Sequence, residues 1–217
     1  ETGLIMPVGK WVLETACRQA ASWHRAGHPL RISINISARQ LRAGALDASL
    51  RKALSDNPDL PPTCVRLELT ESLLIDSVGR TAQLIKKMTE TGVTFSIDDF
   101  GTGYSSLSYI HQLPIREVKI DRMFVNRLLH DKNSINLVKT IVAMAQSFEA
   151  ETVAEGIETK EQYEILAGIG VDIVKGYLFG HPVPPEELTP SLSMLRGENE
   201  PSNPENYHEN TLQTGCC

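Results

Sequence analysis

The chain is 217 residues long, 41% hydrophobic and 22% charged, a balance that fits one soluble globular domain large enough to bury a core. Its formal net charge of -6 disfavours a non-specific nucleic-acid binder, which needs basic surface to displace counterions from phosphates. No apolar run approaches the roughly 20 residues of a membrane span, and the first residues carry no charged-then-apolar signal pattern. Any phosphate ligand therefore needs local help such as metal ions, and a cytoplasmic setting is expected, with any membrane anchor of a longer parent outside this segment.

The chain opens without an initiator Met and leads into a predicted helix, as if entering the middle of a domain. Val8, Trp11, Val12, Ala16, Ala20 and Trp23 recur there at helical spacing, which assigns both tryptophans to the core. His24 and His28 stand four apart, but Gly27 and Pro29 break the helix that would align them as metal ligands, so both are expected at the surface. Cys17, Cys64, Cys216 and Cys217 show no Cys-x-x-Cys spacing, which points to reduced thiols.

From Leu30 onward short apolar strands alternate with amphipathic helices. The predicted strands run from Leu30 to Ile36, Val65 to Leu69, Val93 to Asp98, Glu117 to Ile120, Thr152 to Ala154 and Asp172 to Val174. The stretch Ser134 to Phe148 is a representative helix, with Ile135, Val138, Ile141, Val142, Ala145 and Phe148 on one side. This alternation implies a parallel sheet, either doubly wound or a TIM-type (β/α)8 barrel. Asn-Ile-Ser-Ala follows the first strand, where a dinucleotide fold would carry its glycine fingerprint. The barrel is favoured, with about six of the eight βα units present.

Every predicted strand ends in a polar or ionisable residue. In order these are Asn35, Glu68 with Glu71, Asp98 with Asp99, Lys119, Glu155 and Lys175. In a barrel such ends converge on one face, where barrel enzymes assemble their sites. Carboxylates with one amide oxygen are hard donors suited to Mg²⁺ or Mn²⁺ rather than zinc. Two ions are plausible, because the adjacent Asp98 and Asp99 diverge and each could serve a different ion, or one could bridge both. Paired divalent ions are a recurring device for phosphoester hydrolysis. Lys119 then either balances charge and orients a water or is an ion-pair partner buried under the acids.

These stretches carry a family resemblance. Asn35-Ile-Ser-Ala-Arg39-Gln-Leu, Glu68-Leu-Thr-Glu71-Ser, Asp98-Asp99-Phe-Gly-Thr-Gly-Tyr-Ser-Ser, Lys119-Ile-Asp121-Arg, Ala154-Glu155-Gly-Ile-Glu158-Thr and Gly176-Tyr-Leu-Phe-Gly resemble the EAL-domain family of bacterial cyclic-di-GMP phosphodiesterases. The resemblance implies a modified barrel that uses Mg²⁺ or Mn²⁺ to hydrolyse cyclic di-GMP to linear pGpG. By position it implies Asn35, Glu68 and Asp98 as ligands of one metal and Asp99 as a ligand of the second. Glu155 is similar to the family's metal-contacting or water-activating glutamate, and Lys119 to its lysine near the nucleophilic water. Glu71 corresponds to the anchor of the glycine-containing loop after Asp99, and that loop with its following helix to the family's homodimer contact. Lys175 and Arg39 are the candidate substrate contacts.

Two departures qualify the resemblance. The Glu-Ala-Leu triplet that names the family, whose glutamate would be a metal ligand, is absent from the chain, and truncation upstream of residue 1 is the simplest expectation. Lys175 stands where the family usually has Gln, and His181 where it often has Arg. These leave a second class of function, a non-catalytic cyclic-di-GMP receptor or partner-binding module. Asp99-Phe-Gly101 mimics the kinase magnesium triplet, but the accompanying kinase motifs are missing. The barrel domain is expected to occupy residues 1–196, with a short helix near Glu186 to Leu195 closing it. The polar segment 197–217 is expected to be a disordered tail.

Overall fold

A computed structural model describes residues 3–75, 78–102 and 113–188. The expected dimer loop after Gly101 and the 197–217 tail fall mainly or wholly outside the described residues. Helix α1 (Ile5–Arg25) leads to β1 (Ile32–Asn35), then α2 (Ala38–Arg42), α3 (Leu46–Ser55) and β2 (Val65–Thr70). Next come α4 (Glu71–Ile75), α5 (Val78–Thr89), β3 (Thr94–Phe100) and β4 (Ile115–Ile120). The described chain continues through α6 (Arg122–Val125), α7 (Lys132–Ser147), β5 (Glu151–Glu155), α8 (Lys160–Ile169) and β6 (Ile173–Lys175). All six predicted strands form, each within about two residues of its expected limits.

The strands pair in parallel in the order β1-β2-β3-β4-β5-β6. A sheet that never reverses its order is a barrel path and not a doubly wound one. Among the described residues it is an open, partial (β/α)8 barrel with β1 and β6 at its edges. Alternation along each strand divides the faces. Leu67, Leu69, Phe95, Ile97, Val118 and Ile120 point outward and are fully or almost fully buried under the helices, so the apolar core lies between sheet and helices. In α7 the predicted positions Val138, Ile141, Val142 and Ala145 are buried as expected.

The inward face is polar at its base as well as at its rim. Buried Arg66 pairs with buried Glu117 across the interior, and its second nitrogen lies 3.5 Å from Glu151. Arg31 Nη1, just before β1, donates to Glu151 Oε2 on β5 at 3.1 Å. In a flat sheet those strands would stand about 19 Å apart, four spacings of roughly 4.8 Å. The contact therefore requires strong curling, and the curl turns the inward strand ends toward one another. Glu117 Oε1 has no hydrogen-bond partner among the described residues, so this pair is an imperfectly satisfied buried charge. Replacing it by an apolar pair, Arg66→Met with Glu117→Leu, is expected to leave unfolding free energy within about 1 kcal/mol of wild type in urea titrations.

Helix α1 departs from the expected arrangement. Its buried stripe is Gly9, Leu13, Cys17, Ala20 and Ala21, whereas Trp11 is 64% exposed and Val8 and Val12 are also exposed. Small residues win the inner face because α1 packs closely on its neighbours: a Cβ at Gly9 would stand 2.1 Å from Gln40 Nε2. Gln40 cannot easily retreat, since it closes the capping box that starts α2, with Ser37 N donating to its Oε1 at 3.0 Å. His28 is buried rather than superficial, and His24 Nε2 lies 3.1 Å from the Leu30 carbonyl. Cys17 is a free buried thiol, Cys64 is also buried, and Cys216 and Cys217 lie outside the described residues.

Candidate active site

The carboxyl ends of β2, β3 and β5 meet on Lys119. This residue, 4% exposed on β4, extends inward two positions beyond Glu117. Its Nζ donates to Glu68 Oε2 on β2 at 2.9 Å and lies 3.0 Å from both Asp98 Oδ1 on β3 and Glu155 Oε1 on β5. Burial pulls the lysine pKa down, but the hydrogen bond and charge of Glu68, with Glu155 and Asp98, outweigh it and hold the pKa well above the ordinary value. Lys119 thus lies buried among three carboxylates, contacts that both sequence readings of it share. Asn35 ends β1 in register with Glu68 and is exposed.

A bulge explains how two consecutive aspartates reach one site. The β3–β4 register passes from Ile97↔Val118 to Phe100↔Ile120, which inserts one extra residue into β3 at Asp98 and Asp99. Asp99 takes a left-handed backbone, φ 54°, a conformation that Asp tolerates better than most side chains. Its amide donates to Asp98 Oδ1 at 3.0 Å. Desolvation first, then the Asp98 charge and the contact with Asp121, raise the Asp99 pKa, with Lys119 opposing. The turn that follows is fixed from below: Gly101 N donates to Glu71 Oε2 at 2.9 Å, and Glu71 is itself buried. Gly101 has φ 93° and sits against Phe124 and Ile141.

Asp99 opens onto a cleft of about 410 Å³ whose lining includes Asp121, Arg122, Glu155, Lys175 and Tyr177. Asp121 caps α6, accepting from Met123 N at 2.6 Å; it was quoted within a motif but given no role by the sequence. Lying two residues beyond Lys119, it shares that residue's inward face, which is the signal that could have marked it. Lys175 ends β6 in register with Glu155. Desolvation lowers its pKa, Glu155 and Glu68 oppose the shift, and Lys119 and Arg66 add repulsion. Arg39 stands apart: it is exposed on α2, near Gly3, and does not line the cleft.

The donor types at this face, carboxylates and one amide without imidazole or thiolate, fit a hard divalent cation. In the arrangement described, three of the carboxylates turn to the Lys119 ammonium, and among the described residues no group of three or more His, Cys, Asp or Glu side chains is gathered around a common cation position. Behind the cleft, Gly176 packs on the backbone of Ile157, where an added Cβ would lie 2.0 Å from the carbonyl oxygen. Backbone cannot yield as a side chain does, so Gly176→Ala is expected to destabilise the fold by about 1–3 kcal/mol in urea unfolding.

Comparison with known proteins agrees with this geometry. The family model described as EAL domain matches residues 1–182. The signaling protein YkoW of Bacillus subtilis is 39% identical over 188 residues, covering 87% of this chain and 23% of that protein. The bifunctional diguanylate cyclase/cyclic di-GMP phosphodiesterase MucR of Pseudomonas aeruginosa is 42% identical over 194 residues, covering 89% of this chain and 28% of that protein. This chain thus spans about a quarter of the length of these curated relatives. The solved PaMucR phosphodiesterase in complex with c-di-GMP superposes with a TM-score of 0.83 at 42% identity, covering 86% of this chain and 76% of that one. No helix among the described residues is long and apolar enough to cross a membrane. The inward acids, the bulge at Asp99 and the match over residues 1–182 lead to one assignment: the chain belongs to the EAL domain family.

Proposed function

We propose that this chain carries most of the site of a phosphodiesterase that hydrolyses one phosphodiester of cyclic di-GMP, giving linear pGpG, in bacterial second-messenger signalling. The observation that carries the reading is the convergence of Glu68, Asp98 and Glu155 on Lys119 beside the bulged Asp99. Asn35, Glu68 and Asp98 would hold one Mg²⁺ or Mn²⁺, and Asp99 with Glu155 a second; such ions supply Lewis-acid stabilisation of the phosphodiester charge. The protein's own groups do the rest. Glu155 lies at the cleft, partly open to solvent, and is placed to take the proton of the attacking water. Lys119 holds the acids in place and can donate to that water, since its raised pKa keeps it protonated throughout the neutral range. Lys175 offers an ammonium to a substrate phosphate from the opposite side of Glu155. Glu71, through Gly101, fixes the turn that presents Asp99.

The water oxygen bonds to phosphorus, the bond from phosphorus to the ribose 3′-oxygen breaks, and that oxygen leaves with a proton. A cytoplasmic setting and a homodimer through the loop and helix after Asp99 belong to the same reading. The test is product analysis by ion-exchange chromatography after incubating cyclic di-GMP and Mg²⁺ or Mn²⁺ with this chain and with a chain extended upstream. Linear pGpG from the extended protein is the expected result. Tight binding with no product would assign the receptor function instead.

A further inference from the structure

Below the strand ends the barrel interior carries a second layer of polar side chains that the chemistry just described does not use. Glu68 on β2, Ser96 on β3, Glu117 on β4 and Glu151 on β5 are successive register partners, so they form one row across the sheet. Alternation turns the row inward. Each carboxylate in it meets a cation: Lys119 donates to Glu68 at 2.9 Å, Arg66 pairs with Glu117, and Arg31 reaches Glu151 at 3.1 Å. Ser96 stands between Glu68 and Glu117 and belongs to none of these pairs. It is fully buried, and Glu117 is almost so.

Two oxygens in this row are left over. Ser96 Oγ and Glu117 Oε1 are both buried, and neither has a hydrogen-bond partner among the described residues. They sit on facing positions of adjacent strands, whose backbones run about 4.8 Å apart. Two hydrogen bonds of about 2.8 Å meeting at a tetrahedral angle span about 4.5 Å, which is the reach of one bridging water.

The backbone is specifically adjusted to make these residues face each other. Between Phe95 and Ser96 the β3–β4 register shifts from Phe95↔Ile115 to Ser96↔Glu117, which adds Arg116 to β4, and the bulge at Asp98 and Asp99 then takes the shift back. Arg116, the added residue, is exposed. The two irregularities cancel, so only the short segment between them runs in the displaced register. That segment brings Glu117 level with Ser96, and Lys119 follows two residues later on the same inward face.

We propose that one buried water molecule bridges Ser96 Oγ and Glu117 Oε1 and hydrogen-bonds to the Glu68 carboxylate, making Ser96 and Glu117 positioning residues for that acid. The serine hydroxyl donates to the water oxygen, and the water donates one hydrogen to Glu117 and the other to Glu68. Three bonds is the usual complement of a buried water. A neutral ligand suits the place, because Arg66 and Arg31 already balance Glu117 and Glu151. Glu68 is then held from above by Lys119 and from below by the water. A carboxylate that is itself hydrogen-bonded keeps its orientation toward a cation, and loss of such support costs about 10–100-fold in metal affinity. The role of Glu68 as a metal donor rests on the functional reading given above, whereas the water does not.

The test combines crystal structures of wild type and Ser96→Ala with Mn²⁺ titrations followed by electron paramagnetic resonance. Wild type is expected to show a density peak within about 3 Å of both Ser96 Oγ and Glu117 Oε1, and Ser96→Ala to lose it. Ser96→Ala is expected to bind Mn²⁺ about 10–100-fold more weakly, and Ser96→Thr, which restores the hydroxyl, to recover most of that affinity. Thermal melts separate this role from a merely structural one: a Ser96→Ala chain that melts earlier but binds Mn²⁺ as wild type does would refute the positioning role. Wild-type density without the peak, with Ser96 Oγ bonded directly to a neighbouring carboxylate, would refute the water. If wild type itself binds no Mn²⁺, the functional reading fails and the positioning role with it, while the peak in the metal-free crystal still decides the water.

Discussion

Asp99→Asn is expected to lower kcat/KM for cyclic di-GMP hydrolysis by about a thousandfold or more while leaving the fold intact or slightly more stable. On the proposed role of Asp99 as a metal donor, the loss follows from removing a charged oxygen where a divalent ion would supply several kcal/mol of transition-state stabilisation, each 1.36 kcal/mol being tenfold in rate. The retention of fold follows from the bulge. Asn adopts the left-handed backbone of residue 99 as readily as Asp does, so the φ of 54° survives the change. The gain in stability has an electrostatic cause. Burial, the Asp98 charge and Asp121 raise the Asp99 pKa, which means the ionised form is disfavoured in the folded state. A carboxyl whose folded pKa lies above its unfolded value destabilises the fold at neutral pH and ceases to do so as pH falls through the folded pKa toward the ordinary value of about 3.9. Thermal melts of wild type and Asp99→Asn should therefore differ most near pH 7 and converge on acidification. A variant that unfolds at room temperature would show that the carboxylate has a structural duty not accounted for.

Lys119→Met is expected to destabilise the protein by about 3–5 kcal/mol when divalent ions are chelated. The side chain is buried, and its removal leaves Glu68, itself almost fully buried, with Asp98 and Glu155 uncompensated. Glu155 is partly exposed, so water screens some of the repulsion and the lower end of that range is the better expectation. The lysine pKa is raised in the fold, so its contribution is fully present below the unfolded value of about 10.4 and is lost only as pH climbs through the higher folded value. The difference between wild type and Lys119→Met should consequently stay constant from pH 7 to 9. Millimolar Mg²⁺ or Mn²⁺ should restore much of the lost stability in the variant, because a dication can supply the positive charge the three carboxylates have lost. Urea unfolding with and without the ion measures both effects, and a variant indifferent to the ion would argue against these acids as metal donors.

The strand ends were legible because two simple periodicities constrain them. Six apolar runs separated by amphipathic helices force a parallel sheet, and a parallel sheet in barrel order places Asn35, Glu68, Asp98, Lys119, Glu155 and Lys175 at one end. What was not legible depends on contacts between distant segments. The stripe of α1 was misassigned because apolar size suggested Trp11 and Val8, whereas the close approach of Gln40 selects Gly9 and its small neighbours. The register change at Asp98 and Asp99 was hidden because a left-handed residue is usually signalled by glycine, and here an aspartate takes it. Asp121 and Tyr177 join the cleft through the curl of the sheet, which is set by interior contacts such as Arg31 with Glu151 across 120 positions of sequence. Arg39 was drawn in by motif position alone; it is exposed on α2 and is not among the residues that line the cleft.

The central claim is that the strand-end acids and the two lysines form one phosphodiester site, and a crystal structure with cyclic di-GMP and Ca²⁺ tests it most directly. The expected density places one phosphate of the dinucleotide between Lys175 and cations held by Asp98, Asp99 and Glu155, with Lys119 beneath. Density for the dinucleotide away from these residues, with Lys119 still bound to all three carboxylates and no cation beside Asp99, would contradict the account.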